Sequence, residues 1–103
     1  VPHLLQVDFP MDGPFGAAMA EAFAELAHSI NDEPGLIWKI WTENRDAGEA
    51  GGVYLFESED DAERYLAMHS ERLQSMGVEG IRGKIFEVNE ALTTINHGPT
   101  EAR

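Results

Sequence analysis

The sequence predicts an α+β domain of the ferredoxin-like class, ordered β-α-β-β-α-β, with a four-stranded antiparallel sheet and two helices on one face. Three observations predict it. Apolar residues recur at helical spacing in two segments, residues 15–30 and 59–76. Runs of β-branched and aromatic residues occupy four other segments. The chain has 103 residues and carries no linker, repeat or low-complexity tract, so residues 1–103 form one domain.

His3 to Phe9 (HLLQVDF) is an apolar run bounded by Pro10 and reads as the first strand. Asp12-Gly13-Pro14 opens a helix, with Asp12 or Gly13 as its cap and Pro14 where no intrahelical donor is needed. Phe15, Met19, Ala22, Phe23, Leu26 and Ile30 form the inner stripe, while Glu21, Glu25 and His28 face out. Pro34 and Gly35 end that helix. Leu36 to Glu43 (LIWKIWTE) is a strand by composition. Asn44 to Gly52 reads as a polar, Gly-rich connection with no apolar anchor, the makeup of a mobile lid. Val53 to Phe56 returns as the third strand. Ser58 caps the second helix with Asp61 three residues on, and Glu59, Asp60, Asp61 and Glu63 suit its positive end. Ala62, Tyr65, Leu66, His69, Leu73 and Met76 are its inner stripe, and Gly77 ends it. Ile81 to Val88 is the last strand. Asn89 to Arg103 is a C-terminal extension whose end is expected to lack order.

Two helices cover one face of such a sheet and leave the other open. Side-chain alternation puts Leu36, Trp38 and Ile40 on one side of the second strand and Ile37, Lys39, Trp41 and Glu43 on the other. The first set is wholly apolar and is expected against the helices. The second is expected on the open face, where an exposed Trp predicts a homodimer.

Composition excludes several functions. Nineteen acidic residues against 7 basic ones give a net charge of -12, which opposes nucleic acid and anionic membrane surfaces. The absence of cysteine removes disulfides, thiolate metal sites and a Cys nucleophile. No apolar run is long enough to span a membrane. No basic segment followed by an apolar one opens the chain, and a cytoplasmic location is expected. No His pair has zinc-site spacing, and Glu57 to Glu63 lacks the pattern of an EF-hand. Gly13 to Gly16 lacks the Gly-Lys-Ser/Thr of a phosphate loop, and Gly48 to Gly52 precedes a strand rather than a helix. No metal and no cofactor are expected.

His69 is the candidate for chemistry, because the helical period places it on the inner stripe, where burial favours the neutral imidazole. Tyr65, one turn before it, is its candidate partner. His3 and His97 lie near the termini, and His28 is a surface residue beside Glu25. Trp38 is expected to line the space beneath the helices and Trp41 the dimer side, while the face of Tyr54 is open. Phe23 and Leu66, on the inner stripes of the two helices, complete the candidate substrate-binding set.

Gly13-Pro14-Phe15-Gly16, Asn31-Asp32-Glu33-Pro34-Gly35, Trp38 to Glu43 (WKIWTE) and Glu49 to Phe56 (EAGGVYLF) resemble the YdhR-like mono-oxygenases of bacteria. The likeness continues through Tyr65-Leu66, His69, Arg72-Leu73, Gly77-Val78-Glu79 and Val88-Asn89-Glu90 to Ile95-Asn96. This resemblance implies a dimeric α+β barrel of ferredoxin-like subunits. It also implies likeness to enzymes that oxygenate aromatic polyketide or quinol-type substrates with O₂ and without flavin, haem or metal. In that reading His69 is the base, Trp38 and Tyr54 position the ring, and Tyr65 orients the imidazole or donates to an oxyanion. Haem-degrading relatives of the same barrel use an Asn on the first strand, where this chain has Gln6. The scaffold equally serves isomerases and lyases, and a dimeric module that binds an aromatic metabolite without turnover.

Overall fold

Seven elements follow one another in the computed structural model, which describes residues 1–101. They are β1 (His3–Pro10), α1 (Gly16–Ile30), β2 (Leu36–Asn44), β3 (Glu49–Phe56), α2 (Glu59–Ser75), β4 (Arg82–Glu87) and α3 (Glu90–Ile95). The strands form one antiparallel sheet in the order β2-β3-β1-β4. This is the predicted ferredoxin-like arrangement, extended by α3. The expectation for the end of the extension falls on residues 102 and 103, outside the described residues.

The core lies between the sheet and helices α1 and α2. Leu5, Val7 and Phe9 of β1, Tyr54 and Phe56 of β3, Met19 and Ile30 of α1, and Ala62, Tyr65 and Leu73 of α2 are all buried there. The close approach of β1 and β3 needs Gly51, since a Cβ at that position would lie 1.9 Å from the Val7 carbonyl oxygen.

The side-chain alternation expected for β2 is overturned. The pairing with β3 runs Leu36 to Phe56 and then Trp38 to Leu55, so Ile37 is an extra residue in a β-bulge. One inserted residue exchanges the faces of all that follows. Lys39 and Trp41 therefore join Tyr54 on the helix side, while Trp38 and Ile40 move to the open face. No glycine or proline marks this bulge in the run Leu36 to Trp41, so the sequence carries no warning of it.

Two other expectations change. α1 starts at Gly16, with Asp12, Gly13 and Pro14 outside the helix and no side-chain cap at Phe15. The Glu43 carboxylate supplies the missing acceptor from β2, taking the Gly16 N–H at 3.0 and 3.2 Å. The Gly-rich connection is not a lid. Glu49 to Gly52 belong to β3, and a four-residue turn over 45–48 closes the hairpin. That turn is fixed by Ala47 N–H on Asn44 Oδ1 and by Gly48 at φ +68°. The cap at Ser58 is as expected: its hydroxyl accepts from Asp61 N–H at 3.1 Å and donates to Asp61 Oδ2 at 2.9 Å.

On the open face one rung is apolar across all four strands: Trp38, Leu55, Leu4 and Phe86. α3, capped by Asn89, leaves the β4 edge, and the chain after it reaches the opposite edge strand. There the Trp38 indole N–H donates to the Pro99 carbonyl at 3.1 Å. Ile40, Phe86, Leu92 and Ile95 stay 47–69% exposed.

Candidate active site

Between the sheet and the two helices lies a partly enclosed apolar cavity of about 50 Å³. Val7, Phe9, Met19, Phe23, Trp41 and Leu73 supply much of its wall. Its titratable lining groups are Lys39, Tyr54 and His69. Two open grooves adjoin it. One, of about 350 Å³, runs between α1 and the edge strand β2 and shares Met19, Phe23 and Trp41 with the cavity. The other shares Met11, Phe23, Met76 and Val78. Phe23 lines all three spaces and stacks on Trp41 with ring centroids 6.2 Å apart.

His69 is 4% exposed, on the buried stripe of α2. Arg72, one turn on, places Nη2 2.9 Å and Nε 3.3 Å from His69 Nδ1. A guanidinium can only donate, so Nδ1 accepts and the ring proton sits on Nε2. Burial, then the charges of Arg72 and Lys39, lower the His69 pKa to about 3. The imidazole is neutral, its lone pair is engaged by Arg72, and its Nε2–H is a donor.

The Tyr65 ring stacks on His69 at 5.0 Å, and its hydroxyl donates to the Tyr54 hydroxyl over a long 3.3 Å. Burial raises the pKa of both phenols, so both keep their protons at neutral pH. With its oxygen accepting from Tyr65, the Tyr54 O–H is left to donate elsewhere. Tyr54 lines the cavity; Tyr65 stands behind it.

Lys39 is the lysine that the bulge turns inward. Its Nζ lies 3.4 Å from the centroid of the Trp41 ring and 4.6 Å from that of Tyr54. Burial, then the charge of Arg72, lowers its pKa to about 7.

Of the sequence candidates, Phe23, Trp41, Tyr54 and His69 meet at the cavity, with Tyr65 in contact behind them. Trp38 does not: it lies on the opposite face of the sheet, tied to Pro99, because of the bulge at Ile37. Leu66 packs over β4 instead, where a Cβ on Gly83 would lie 2.6 Å from it. Lys39 and Arg72 were missed. Arg72 was legible as the i+3 neighbour of His69; Lys39 was hidden by the same bulge. Among the described residues no three His, Cys, Asp or Glu side chains gather as a metal ligand set.

Solved structures share this fold, among them the following three. A mutant form of SnoaB, a cofactor-independent oxygenase from Streptomyces nogalater, is 19% identical, with a TM-score of 0.60 over 85% of this chain and 93% of that one. Rv0793 from Mycobacterium tuberculosis is 15% identical, with a TM-score of 0.60 over 85% of this chain and 95% of that one. The monooxygenase ActVA-Orf6 of Streptomyces coelicolor, in complex with nanaomycin D, is 22% identical, with a TM-score of 0.59 over 86% and 88% of the two chains. At these identities the likeness is one of fold. No curated protein sequence matches the chain significantly. The family described as "Putative mono-oxygenase ydhR" matches residues 4–99, and the chain belongs to that mono-oxygenase family.

Proposed function

We propose that the protein inserts one atom of O₂ into a small electron-rich aromatic bearing an ionisable oxygen (a phenol, hydroquinone or polyketide-like ring) without a cofactor. The observation that carries this reading is the apolar cavity between sheet and helices, with Lys39, Tyr54 and His69 as its titratable lining. Apolar walls suit the ring, and a few polar groups suffice to orient its oxygen. Family membership and the oxygenase neighbours support the reaction class.

At about 50 Å³ the cavity is smaller than the roughly 150 Å³ that holds one benzene ring elsewhere. A substrate enters by displacing Phe23, which separates the cavity from both grooves, and the flexible Met19 and Met76 side chains yield around it. Deprotonation makes the ring oxidisable. The anion gives one electron to O₂, and the aryloxyl radical and superoxide join through a bond from a ring carbon to oxygen. The peroxide takes back the proton removed at the start, and loss of water with the hydrogen of that ring carbon leaves a quinone. The protein supplies proximity, a dry site and donors for the developing oxyanion. In this geometry His69 acts as a neutral Nε2–H donor rather than as the base, and Tyr54 O–H is the second donor.

The same reading includes a homodimer. Ile40 and Phe86 on the open face, with Leu92 and Ile95 on α3, form an apolar surface that a second copy would cover. The test is oxygen uptake by the metal-stripped protein on a panel of anthrones, naphthols and hydroquinones. Uptake above the spontaneous rate, reduced at least tenfold in His69→Ala, is expected. Turnover of the panel that is equally fast under argon would point to an isomerase or lyase and overturn the oxygenase reading.

A further inference from the structure

Resting on that reading of the cavity, we infer that Lys39 is the group that takes the substrate's proton and then pairs with its anion, so the ligand is bound as an oxyanion. Three observations place it there. The bulge at Ile37 turns Lys39 to the helix side, opposite Tyr54 in the ladder. Gly52 gives its stem a path. A Cβ on Gly52 would lie 2.8 Å from Lys39 Cε, so the bare backbone lets the side chain cross β3. The ammonium end then rests between the faces of Trp41 and Tyr54 and pairs with no carboxylate among the described residues.

Arg45, Arg72 and Lys84 likewise meet no carboxylate among the described residues, but Arg45 and Lys84 are exposed, whereas Lys39 is half-buried beside Arg72. With 19 Asp and Glu against 7 Lys and Arg, a cation has acidic partners in abundance. Arg82 takes two of them, Asp8 and Glu49, while Lys39 takes none. The titratable groups around it are Tyr54 from β3 and His69 and Arg72 from α2. β1 and α1 contribute only apolar residues to this wall, so the surroundings hold a positive centre and no anion. Such a centre is completed by an anionic ligand oxygen. A lysine whose pKa is lowered to about 7 also exchanges readily between ammonium and amine at neutral pH, and its amine form has a free lone pair, which His69, engaged by Arg72, does not. In the proposed step the substrate O–H bond breaks and an Nζ–H bond forms. The products are an ammonium and an oxyanion in contact, with net charge unchanged.

The test is binding of 4-nitrophenol, whose anion is yellow, beside its neutral ether 4-nitroanisole, to the full-length protein. In wild type the bound phenol is expected to ionise at least one pH unit lower than the free one, as an adjacent cation demands. Its affinity should exceed that of the ether at least tenfold. Lys39→Met should bind both probes equally, and Gly52→Ala, which keeps the lysine but blocks its stem, should lose most of the preference. An unshifted ionisation in wild type overturns the inference without recourse to any variant. An undiminished preference in Lys39→Met overturns it too, but leaves the cavity reading standing. Failure of wild type to bind either probe overturns the cavity reading, and this inference with it.

Discussion

Changing Arg72 to Gln tests the electrostatics of the site most sharply. In wild type Arg72 donates to His69 Nδ1 through Nη2 at 2.9 Å, so the proton must be on Nε2. Burial and the charges of Arg72 and Lys39 hold the ring neutral down to about pH 3, against 6.5 for a free histidine. At about 1.4 kcal/mol per pKa unit, that difference is on the order of 5 kcal/mol. Such an amount is comparable to the whole stability of a small domain. The sign follows from proton counting. Between pH 6.5 and 3 the unfolded histidine is protonated and the folded one is not, so stability falls as pH falls through that window. Wild type should therefore unfold in acid before His69 titrates. Long-range ¹H–¹⁵N correlation spectra should show an unprotonated Nδ1 and a protonated Nε2 that persist through the native range. In Arg72→Gln a charge that disfavours imidazolium is gone, and the His69 pKa should rise by about one unit or more while burial keeps it below 6.5. An Nδ1-protonated ring in wild type, or titration near 6.5, would be incompatible with a buried imidazole held by the Arg72 guanidinium.

Four further outcomes follow from the same structure. Lys39 has its pKa lowered to about 7, so between pH 7 and 10.5 the unfolded chain holds the extra proton and stability should rise with pH; in urea titrations Lys39→Met should abolish this contribution. Glu43→Ala removes the carboxylate that receives the first N–H of α1 and should cost about 1 kcal/mol, read as a fall in urea midpoint at constant m. Gly51→Ala drives a methyl into the Val7 carbonyl oxygen between the two central strands and should cost about 3 kcal/mol or more; a variant within about 0.5 kcal/mol of wild type would contradict the β1–β3 register. Ile40→Glu puts a charge on the open apolar face and should convert a sedimenting dimer to monomer, whereas wild type running as monomer at micromolar concentration in moderate salt would remove the dimer from the account.

The order and type of the elements were readable because their signals are local. Helical spacing at Met19, Phe23, Leu26 and Ile30, the Ser58–Asp61 cap, and the β-branched run Leu36 to Trp41 each depend on neighbours within a turn or two. The inward stripe of α2 was legible for the same reason, and it correctly put His69 and Tyr65 in the interior. What was not legible depends on partners distant in sequence. The bulge at Ile37 exists because β3 pairs with both Leu36 and Trp38 in a particular register, and nothing within Leu36 to Trp41 announces it. That single residue decided which Trp and which cation face the cavity. The N-terminal acceptor of α1 comes from Glu43, 27 residues away, so the local Asp12-Gly13-Pro14 signal misled. Gly52 was a usable clue. A glycine within a strand often marks close approach by another group, here the stem of Lys39.

The proposed oxygenation of an ionised aromatic ring with O₂ and no cofactor is decided by where the two oxygen atoms go. Turnover of the best panel substrate under ¹⁸O₂, in chelator and without added flavin, hemin or metal, tests it most directly. A quinone carrying one ¹⁸O atom per molecule, the other atom in water, is expected, at a rate that Lys39→Met lowers at least tenfold. Product without ¹⁸O, or ¹⁸O incorporation as fast in buffer alone as with the protein, would contradict it.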